Sequence, residues 1–330
     1  AGILEDSPRF DYSGGASCPS LLLEPSRTNL VTQSEYMLGS NWLGGQTTIT
    51  PVLSPDLSPE GKLNAYRITR TSSNTQLGSL STVTSGQTYT GSIYIKRVSG
   101  SYNARIKVVE NTSTTIAITD EWERFDLTAV ATSSNGRLYI SPFSTGDVID
   151  VWGAQLEEGS YPTSYIPNHS GGSVTREADS CSGAGTSSTF NDSEGVLYAE
   201  IAALADDLTF RSISLSDGTN NNRVIIRYRT TSNIINFLLA AGGSVIRNVQ
   251  HSVTDITDYH KVAIKYKDRD IGLFVDGVKI ATHTDTFTLS SLSEVSFTDG
   301  SGSDVFYGKP KQVLTFNTAL SDNNCITLTS

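Results

Sequence analysis

The segment TYTGSIYIKRV, residues 88–98, places the strongest constraint on what this chain can fold into. Apolar or small side chains occupy every second position up to Ile95, and mostly polar side chains occupy the positions between them. One face carries Tyr89, Gly91, Ile93 and Ile95, and the other carries Thr88, Thr90, Ser92, Tyr94 and Lys96. A period of two is that of a β-strand. The segment therefore predicts a sheet with one face buried and one face in solvent.

Strand-like segments closed by turn residues recur along the chain. The clearest lie at 47–50, 64–70, 88–98, 103–110, 124–131, 136–143, 147–157, 195–204, 210–216, 222–230, 233–241, 259–267, 270–284, 293–299 and 304–317. Asp276-Gly277 favours a type I′ hairpin turn. Only residues 318–328 favour a short helical turn, capped by Ser321 or Asp322. Many short strands without helical segments between them indicate an all-β fold of the sandwich or jelly-roll kind.

Length and composition predict two domains and an arm. At roughly 100–200 residues per domain, a chain of 330 residues suggests two. Residues 1–34 are rich in Ser, Gly and Pro and show little periodicity, which predicts an extended N-terminal arm. Residues 168–190 have a similar composition and predict a linker with the opening strand of the next domain. We therefore predict two β-sandwich or jelly-roll domains, at 35–167 and 191–330, preceded by the arm.

The charge balance and the hydropathy argue against two classes of partner. The chain has 24 Lys and Arg against 34 Asp and Glu, a net charge of −10, which disfavours nucleic acid and anionic membranes. No apolar run approaches the roughly 20 residues of a membrane span, so membrane insertion is not expected. The start, AGILEDSPRF, lacks the basic segment and the apolar core of a signal peptide.

The three cysteines, Cys18, Cys181 and Cys325, show no metal-ligand spacing. Cys181 opens the predicted second domain and Cys325 closes it. Because domain termini often lie close together, these two could form a disulfide and leave Cys18 over. Three reduced thiols, as in a protein assembled in the cytosol, are the alternative. The sequence leaves both open.

Four stretches resemble a module found in bacteriophage tail-fibre and other virion proteins. They are PRFDYSGGASCPSLLLEPSRTNL (8–30), DEWERFDLTAVATSS (120–134), VWGAQLEEGSYPTSYIP (151–167) and VTREAD (174–179). In that family the first domain is similar to carbohydrate-binding modules with a galactose-binding-like jelly roll. The second half, from GVLYAEIAALADD (195–207) through LFVDGVKIAT (273–282), resembles a concanavalin A-like lectin/glucanase domain of the LamG type.

The resemblance implies adhesion to a bacterial surface. The expected function is that of a non-enzymatic virion adhesin, a tail fibre or spike that binds bacterial surface polysaccharide during host recognition. The resemblance also implies other virion proteins as partners, a homotrimer, and a place on the virion surface after synthesis in the host cytoplasm. Two alternatives stay open: a polysaccharide depolymerase on the lectin/glucanase fold, and a purely structural decoration protein of the virion.

Sugar-binding candidates are aromatic side chains, because an aromatic face can cover the apolar C–H face of a pyranose. We select Trp42 in the loop-like SNWLGG, Tyr94 on the solvent face of its strand, and Tyr102. Trp122 and Trp152 lie in strand segments flanked by apolar residues, which predicts packing in the core.

Catalytic residues are not apparent in the sequence, so we do not expect an enzyme. Glycoside hydrolysis needs two carboxylates across a cleft, and the Glu-x-Asp-x-x-Glu spacing of concanavalin-like glucanases is absent. The pairs Glu121/Glu123 and Glu157/Glu158 are better explained as strand residues. The histidines, His169, His251, His260 and His283, are scattered.

No cofactor is expected, but a structural calcium ion stays open, because carboxylates at loops are the ligands it prefers. The aspartates at predicted strand ends are Asp206, Asp207, Asp217, Asp268, Asp270, Asp299 and Asp304.

Overall fold

A computed structural model describes residues 7–12, 18–44, 47–53, 55–72, 76–110 and 112–330. The predicted all-β fold is confirmed, because the described residues form many strands and a single short helix. The elements are β1 Phe10–Asp11, β2 Ser20–Leu21, β3 Arg27–Asn29, β4 Trp42–Gly44, β5 Thr47–Pro51, β6 Tyr66–Arg70, β7 Leu77–Ser79, β8 Ser81–Thr82, β9 Thr88–Ser99, β10 Asn103–Val108, β11 Thr112–Ala117, β12 Glu123–Val130, β13 Asn135–Gly136, β14 Leu138–Pro142, β15 Val148–Glu158, β16 Val174–Arg176, β17 Glu194–Ala203, β18 Arg211–Ser216, β19 Arg223–Tyr228, β20 Ile234–Ala241, β21 Ser244–Ser252, β22 His260–Lys267, β23 Ile271–Val275, β24 Val278–His283, β25 Glu294–Ser296, β26 Gly308–Phe316 and α1 Asp322–Thr329.

The chain divides into two compact units whose boundaries are not those of the two sequence halves. Residues 26–177 form one unit, which we call the inserted unit. Residues 178–330 and the described part of residues 3–25 form the other, which we call the terminal unit. Between residues 7 and 330 the chain therefore crosses between the units twice, after Pro25 and after Glu177.

The arm predicted over residues 1–34 is shared between the units. In the terminal unit, β1 pairs with β2, and Leu23 forms a β-bridge with Gly308. In the inserted unit, β3 pairs with β16, part of the predicted linker, so that Thr28 lies opposite Thr175. Strands of two or three residues are too short to show a period, which is why the sequence predicts an arm here. Residues 1–6 and 13–17 of that arm lie outside the described residues.

Two five-stranded sheets form the sandwich of the inserted unit. The back sheet has the order β11-β10-β14-β7-β4, and the front sheet has the order β12-β9-β15-β6-β5. The predicted alternation in β9 is confirmed on the core side, where Tyr89, Ile93 and Ile95 are buried in the core shared by both sheets. The expectation that the other face lies in solvent is wrong at Thr90 and Ser92, which are fully buried, because the chain that follows β15 covers that end of the strand and Thr90 donates to the Gly159 carbonyl. At Gly91 the two sheets leave no room for a side chain, because a Cβ there would lie 2.9 Å from Leu138 of the back sheet. The opposite side of β9 therefore forms the outer face of the front sheet.

The terminal unit is also built on two five-stranded sheets. Their orders are β24-β23-β22-β17-β26 and β21-β20-β19-β18-β25, and one apolar core draws on both. The hairpin turn predicted at Asp276-Gly277 is confirmed, since both residues have positive φ angles, +48° and +76°, as a type I′ turn requires. The short C-terminal helix is confirmed as well. Its N-cap is Ser321, whose hydroxyl accepts the N–H of Asn324 at 3.2 Å.

The disulfide considered between Cys181 and Cys325 is not formed, and all three cysteines are free. Cys325 lies on α1 and is buried with Tyr198 and Phe274, on the side of the sheet away from the main core. Cys181 lies beside the other sheet, where its carbonyl accepts the N–H of Phe297 at 3.0 Å. The termini of a sandwich can be close while their side chains point to different layers.

A buried carboxylate fixes the chain that follows β15. Glu157 is fully buried and accepts hydrogen bonds from the N–H and Oγ1 of Thr163, at 2.8 and 2.7 Å, and from Nε2 of Gln155 at 2.6 Å. Arg27 Nε lies 3.8 Å from the same carboxylate. Gln155 Oε1 in turn accepts the N–H of Ile166 at 2.7 Å. We call Arg27, Gln155, Glu157 and Thr163 the Glu157 cluster. It holds residues 163–166 against the outer face of the front sheet.

Replacing Glu157 with Ala is expected to lower the free energy of unfolding of the inserted unit by about 3–5 kcal/mol, because the donors of Thr163 and Gln155 lose their acceptor and Arg27 loses the nearby negative charge. Glu158→Ala is the matched control, since Glu158 is adjacent and exposed. The control is expected to stay within about 0.5 kcal/mol. Trp42, Trp122 and Trp152 all lie in the inserted unit, so tryptophan fluorescence in urea follows this unit alone. Equal midpoints for both variants would contradict this role of Glu157.

Limited proteolysis is expected to cut within residues 182–189, which are exposed throughout. Because residues 7–25 belong to the terminal unit, the two fragments are expected to remain associated in native buffer and to separate in denaturant. Size-exclusion chromatography of the nicked protein, followed by a denaturing gel of the eluted peak, checks this. Fragments that elute separately without denaturant would refute the assignment of residues 7–25.

Candidate functional site

The outer face of the front sheet carries aromatic and charged side chains in two adjacent rows. One row consists of Arg124, Tyr94 and Trp152, and the next consists of Lys96, Asp150 and Arg67. A bulge interrupts the pairing of β15 directly after Trp152, where Gly153 has a φ of +66°. Bulges re-aim neighbouring side chains and are frequent next to functional sites.

Four aromatic side chains gather on this face, and we call them the aromatic cluster: Tyr94, Trp122, Trp152 and Tyr165. Trp152 lies at the centre, with its ring 5.3 Å from that of Tyr94 and 4.7 Å from that of Tyr165, centroid to centroid. Trp152 is only 5% exposed, whereas the other three rings are half-buried. The cluster therefore offers the edges and faces of three rings around a buried fourth.

The segment between β5 and β6 runs beside the aromatic cluster. The indole N–H of Trp122 donates to the carbonyl of Leu57 at 2.8 Å. Asp56 accepts a hydrogen bond from Arg67 at 3.3 Å and lies 3.6 Å from the ammonium of Lys96. These contacts give the charged row a balance of positive and negative groups. Three leucines of the segment are exposed, Leu53, Leu57 and Leu63.

A polar network adjoins the aromatic cluster through Tyr165. The Tyr165 hydroxyl donates to Glu35 Oε1 at 2.9 Å, and Glu35 Oε2 accepts from Asn64 Nδ2 at 2.7 Å. Asn64 Nδ2 also donates to Glu60 at 2.5 Å. Burial, with the nearby negative charge of Glu35, raises the pKa of Tyr165 well above its usual range. Tyr165 therefore stays a hydrogen-bond donor across the physiological range.

Three buried polar atoms near this face find no hydrogen-bond partner among the residues that the structure describes. They are Trp152 Nε1, Arg124 Nε and Asn64 Oδ1. An unsatisfied buried donor or acceptor costs about 1–3 kcal/mol. All three atoms lie below the accessible surface, so they are a cost of packing this face and not groups that it offers to a ligand on the surface.

Of the three sugar-binding candidates selected from the sequence, the structure places only one in the aromatic cluster. Tyr94 belongs to the aromatic cluster. Trp42 is 6% exposed, packs in the core and donates its indole N–H to the carbonyl of Gln33 at 2.9 Å, so it has no free ring face for a sugar. Tyr102 is 57% exposed, but the Arg97 guanidinium lies 3.9 Å from its ring centroid, and it is not part of the aromatic cluster.

Sequence reasoning missed the site residues Trp122, Tyr165, Glu35 and Asn64. Trp122 and Trp152 were both predicted to pack in the core. Trp152 is buried, but on the outer face of the front sheet, and Trp122 is only half-buried on the same face. The sequence does contain a signal for the outer position of Trp152. Trp152 lies two positions after Asp150 and next to Val151, which is buried in the core, so a strand places Trp152 and Asp150 on the opposite face from Val151. Glu35 and Asn64 carry no such signal, because loops bring them to the sheet.

The aspartates considered for calcium serve their own loops and ion pairs. Asp217, for example, accepts the N–H of Thr219 at 2.9 Å and Nδ2 of Asn222 at 2.8 Å. Asp207 pairs with Arg211 at 2.6 Å. In the described ranges, no three His, Cys, Asp or Glu side chains gather so as to hold a metal ion. Nor does any helix in those ranges have the length and apolarity to cross a membrane.

Comparisons with known proteins found no matching family model and no matching curated protein. Several solved structures are similar to parts of the fold. Mouse laminin alpha1 domains LG4-5 match at 8% identity and a TM-score of 0.30, over 89% of each chain. The CBM22-1–CBM22-2 tandem of Paenibacillus barcinonensis Xyn10C matches at 11% identity and a TM-score of 0.30, over 88% of this chain and 98% of that chain. A SAP-like pentraxin from Limulus polyphemus matches at 11% identity and a TM-score of 0.35, over 42% of this chain and 70% of that chain.

Tyr165 is expected to remain a neutral phenol in the native protein at pH values where a free tyrosine, with a pKa of about 10, ionises. Alkaline titration of phenolate absorbance checks this: native wild type and Tyr165→Phe should give the same curve near pH 10, and in denaturant they should differ by one tyrosine. Because the folded pKa is raised, the stability due to this group is present below about pH 10 and is lost as the pH rises further. A native difference of one tyrosine near pH 10 would be the contrary result.

Proposed function

We propose that the protein is a non-enzymatic glycan-binding protein, and that the outer face of the front sheet is its binding site. The observation that carries the proposal is the aromatic cluster together with the charged row beside it. Half-buried rings can cover the apolar face of a pyranose, and the partly exposed Lys96 and Arg67 can donate to its hydroxyls. Aromatic walls with a few fixed polar groups are typical of small-molecule sites.

The ligand class follows from the charges. Lys96 and Arg67 are already paired with Asp56 and Asp150, which leaves Arg124 as the cation of these two rows without an ion pair among the described residues. The chain as a whole has a net charge of −10. A neutral polysaccharide fits this face better than a strongly anionic one.

The setting that we propose is a phage virion. The stretches that resemble tail-fibre and virion proteins support a tail fibre or spike adhesin that binds polysaccharide on the bacterial surface. In this setting the partners include other virion proteins, the assembly is a homotrimer, which multiplies weak glycan contacts, and the protein lies on the virion surface.

A depolymerase is the second candidate, because two carboxylates lie together beside the aromatic cluster. Glu35 and Glu60 accept hydrogen bonds from the same Asn64 nitrogen, so their oxygens lie within about 5 Å, a separation used by retaining glycosidases. Such an enzyme needs a general acid with a raised pKa. Burial raises the pKa of Glu60, but hydrogen bonds, including those from Asn64 and Lys62, outweigh it and leave the pKa below its usual value. This favours the adhesin.

Binding to an array of purified bacterial surface polysaccharides tests the proposal. Trp122→Ala is expected to raise the dissociation constant for a bound neutral polysaccharide at least about tenfold, equivalent to about 1.4 kcal/mol. Tyr102→Ala, which removes an exposed ring outside the aromatic cluster, is the control and should bind like wild type.

Three outcomes count against the proposal. Unchanged binding by Trp122→Ala and Tyr94→Ala would refute the assignment of the binding site to this face. Binding to none of the polysaccharides would favour a structural decoration protein. Sustained release of reducing ends from a bound polysaccharide, abolished by Glu35→Gln, would establish the depolymerase.

A further inference from the structure

A cleft of about 400 Å³ opens in the terminal unit, on residues that the proposed binding face does not use. Residues 178–182 supply one side, and residues between 294 and 307 supply most of the other. The second side begins on β25, the edge strand of its sheet, and continues through a glycine-rich loop. The cleft volume lies within the range of small-molecule sites.

The loop that walls the cleft is fixed by hydrogen bonds and an ion pair. Asp299 Oδ1 accepts the N–H groups of Ser301 and Ser303, at 2.9 and 3.0 Å. Arg223 donates to the Asp299 carbonyl at 2.7 Å and pairs with its carboxylate at 3.2 Å. At Gly300, with a φ of +95°, a Cβ would lie 2.9 Å from Ser216, so the loop backbone packs closely on β18. This wall of the cleft is therefore preorganised.

The lining is rich in hydroxyl groups and contains a carboxylate that is not neutralised. Ser296 and Thr298 share a hydrogen bond of 2.9 Å, and Tyr307 also lines the cleft. The Glu294 carboxylate lines the cleft too and forms no ion pair or hydrogen bond with the described part of the chain. A free carboxylate beside hydroxyls suits a ligand with several hydroxyl donors, and it repels an anion.

Two buried hydroxyls adjoin this lining and have no partner within the described ranges. Ser212 and Ser214 are fully buried, and neither Oγ makes a hydrogen bond. Both lie on the face of β18 that points away from the core, since Ile213 and Leu215 occupy the core side. Ser214 lies opposite Ser296, and Ser212 bridges to Val305, another lining residue. Neither is a lining residue, so both lie behind the wall of the cleft and add to its polar character.

We propose that this cleft is a separate saccharide site, which takes one terminal sugar residue of a neutral glycan through hydrogen bonds. Glu294 accepts from two neighbouring sugar hydroxyls, and the hydroxyls of the lining complete the shell. The site does not depend on the aromatic cluster, so either site can stand if the other fails. Its chemistry differs as well, since no tryptophan lies in the terminal unit.

Cys181 provides a direct test on the full chain, because it lines the cleft, whereas Cys18 is exposed elsewhere. Burial raises the pKa of the Cys181 thiol, so it reacts more slowly than a free thiol. The rate of alkylation at each cysteine is measured by mass spectrometry with and without neutral methyl hexopyranosides. A glycoside at about ten times its dissociation constant should slow Cys181 labelling about tenfold and leave Cys18 unchanged.

Variants separate this site from the proposed binding face. Glu294→Gln should abolish the protection of Cys181, and Asp258→Asn, which removes an exposed carboxylate outside the cleft, should retain it. Trp122→Ala should also retain it, because that residue belongs to the inserted unit. Ser182→Phe, which fills the cleft from its exposed rim, should abolish binding even if Glu294→Gln fails to fold.

Saturation-transfer NMR on the same glycosides is the second readout, with the Trp122→Ala protein as the receptor so that binding at the proposed face is weakened. Transfer to a glycoside that is lost in Ser182→Phe supports the site. Absence of both protection and transfer for every neutral glycoside overturns it. Protection that survives Glu294→Gln overturns the role of the carboxylate.

Discussion

The buried carboxylate of Glu157 is the interaction on which the inserted unit depends. A carboxylate is costly to bury unless donors surround it. Here Thr163 and Gln155 supply the donors, and Arg27 adds a positive charge 3.8 Å away. The same contacts place residues 163–166 on the front sheet, which brings Tyr165 against Trp152 and its hydroxyl to Glu35. The stretch VWGAQLEEGSYPTSYIP thus contains the residues that stabilise this part of the fold, and their contacts also assemble the candidate binding face.

Several features were predictable because they are local. The strand alternation in residues 88–98, the turn at Asp276-Gly277 and the cap at Ser321 follow from residues a few positions apart. The topology was not predictable, because β1, β2 and β3 are too short to carry a period and their partners lie far along the chain. The candidate site was predicted only at Tyr94. Trp152 could have been placed on the outer face from its parity with Asp150, but no pattern in the sequence brings Glu35 and Asn64 beside it.

The two units present different chemistry for the same class of ligand. On the front sheet, rings dominate, and Lys96 and Arg67 pair with Asp56 and Asp150 before any ligand is met. In the cleft of the terminal unit, hydroxyls and the free carboxylate of Glu294 dominate. Arg223 and Arg227 of the same unit pair with Asp299 and Asp304. In both units aspartates neutralise several of the cations, which agrees with the acidic balance of the chain and with neutral sugars as ligands.

The double crossing between the units has a mechanical consequence. Residue 7 and residue 330 both belong to the terminal unit, so tension applied between them runs through that unit. Where the chain leaves and returns, the strands are held side by side: the N–H of Asp179 donates to the Glu24 carbonyl at 2.9 Å in the terminal unit, and β3 pairs with β16 in the inserted unit. The inserted unit would carry load only after the terminal unit had begun to open, and its aromatic face is therefore shielded from a pull along the chain.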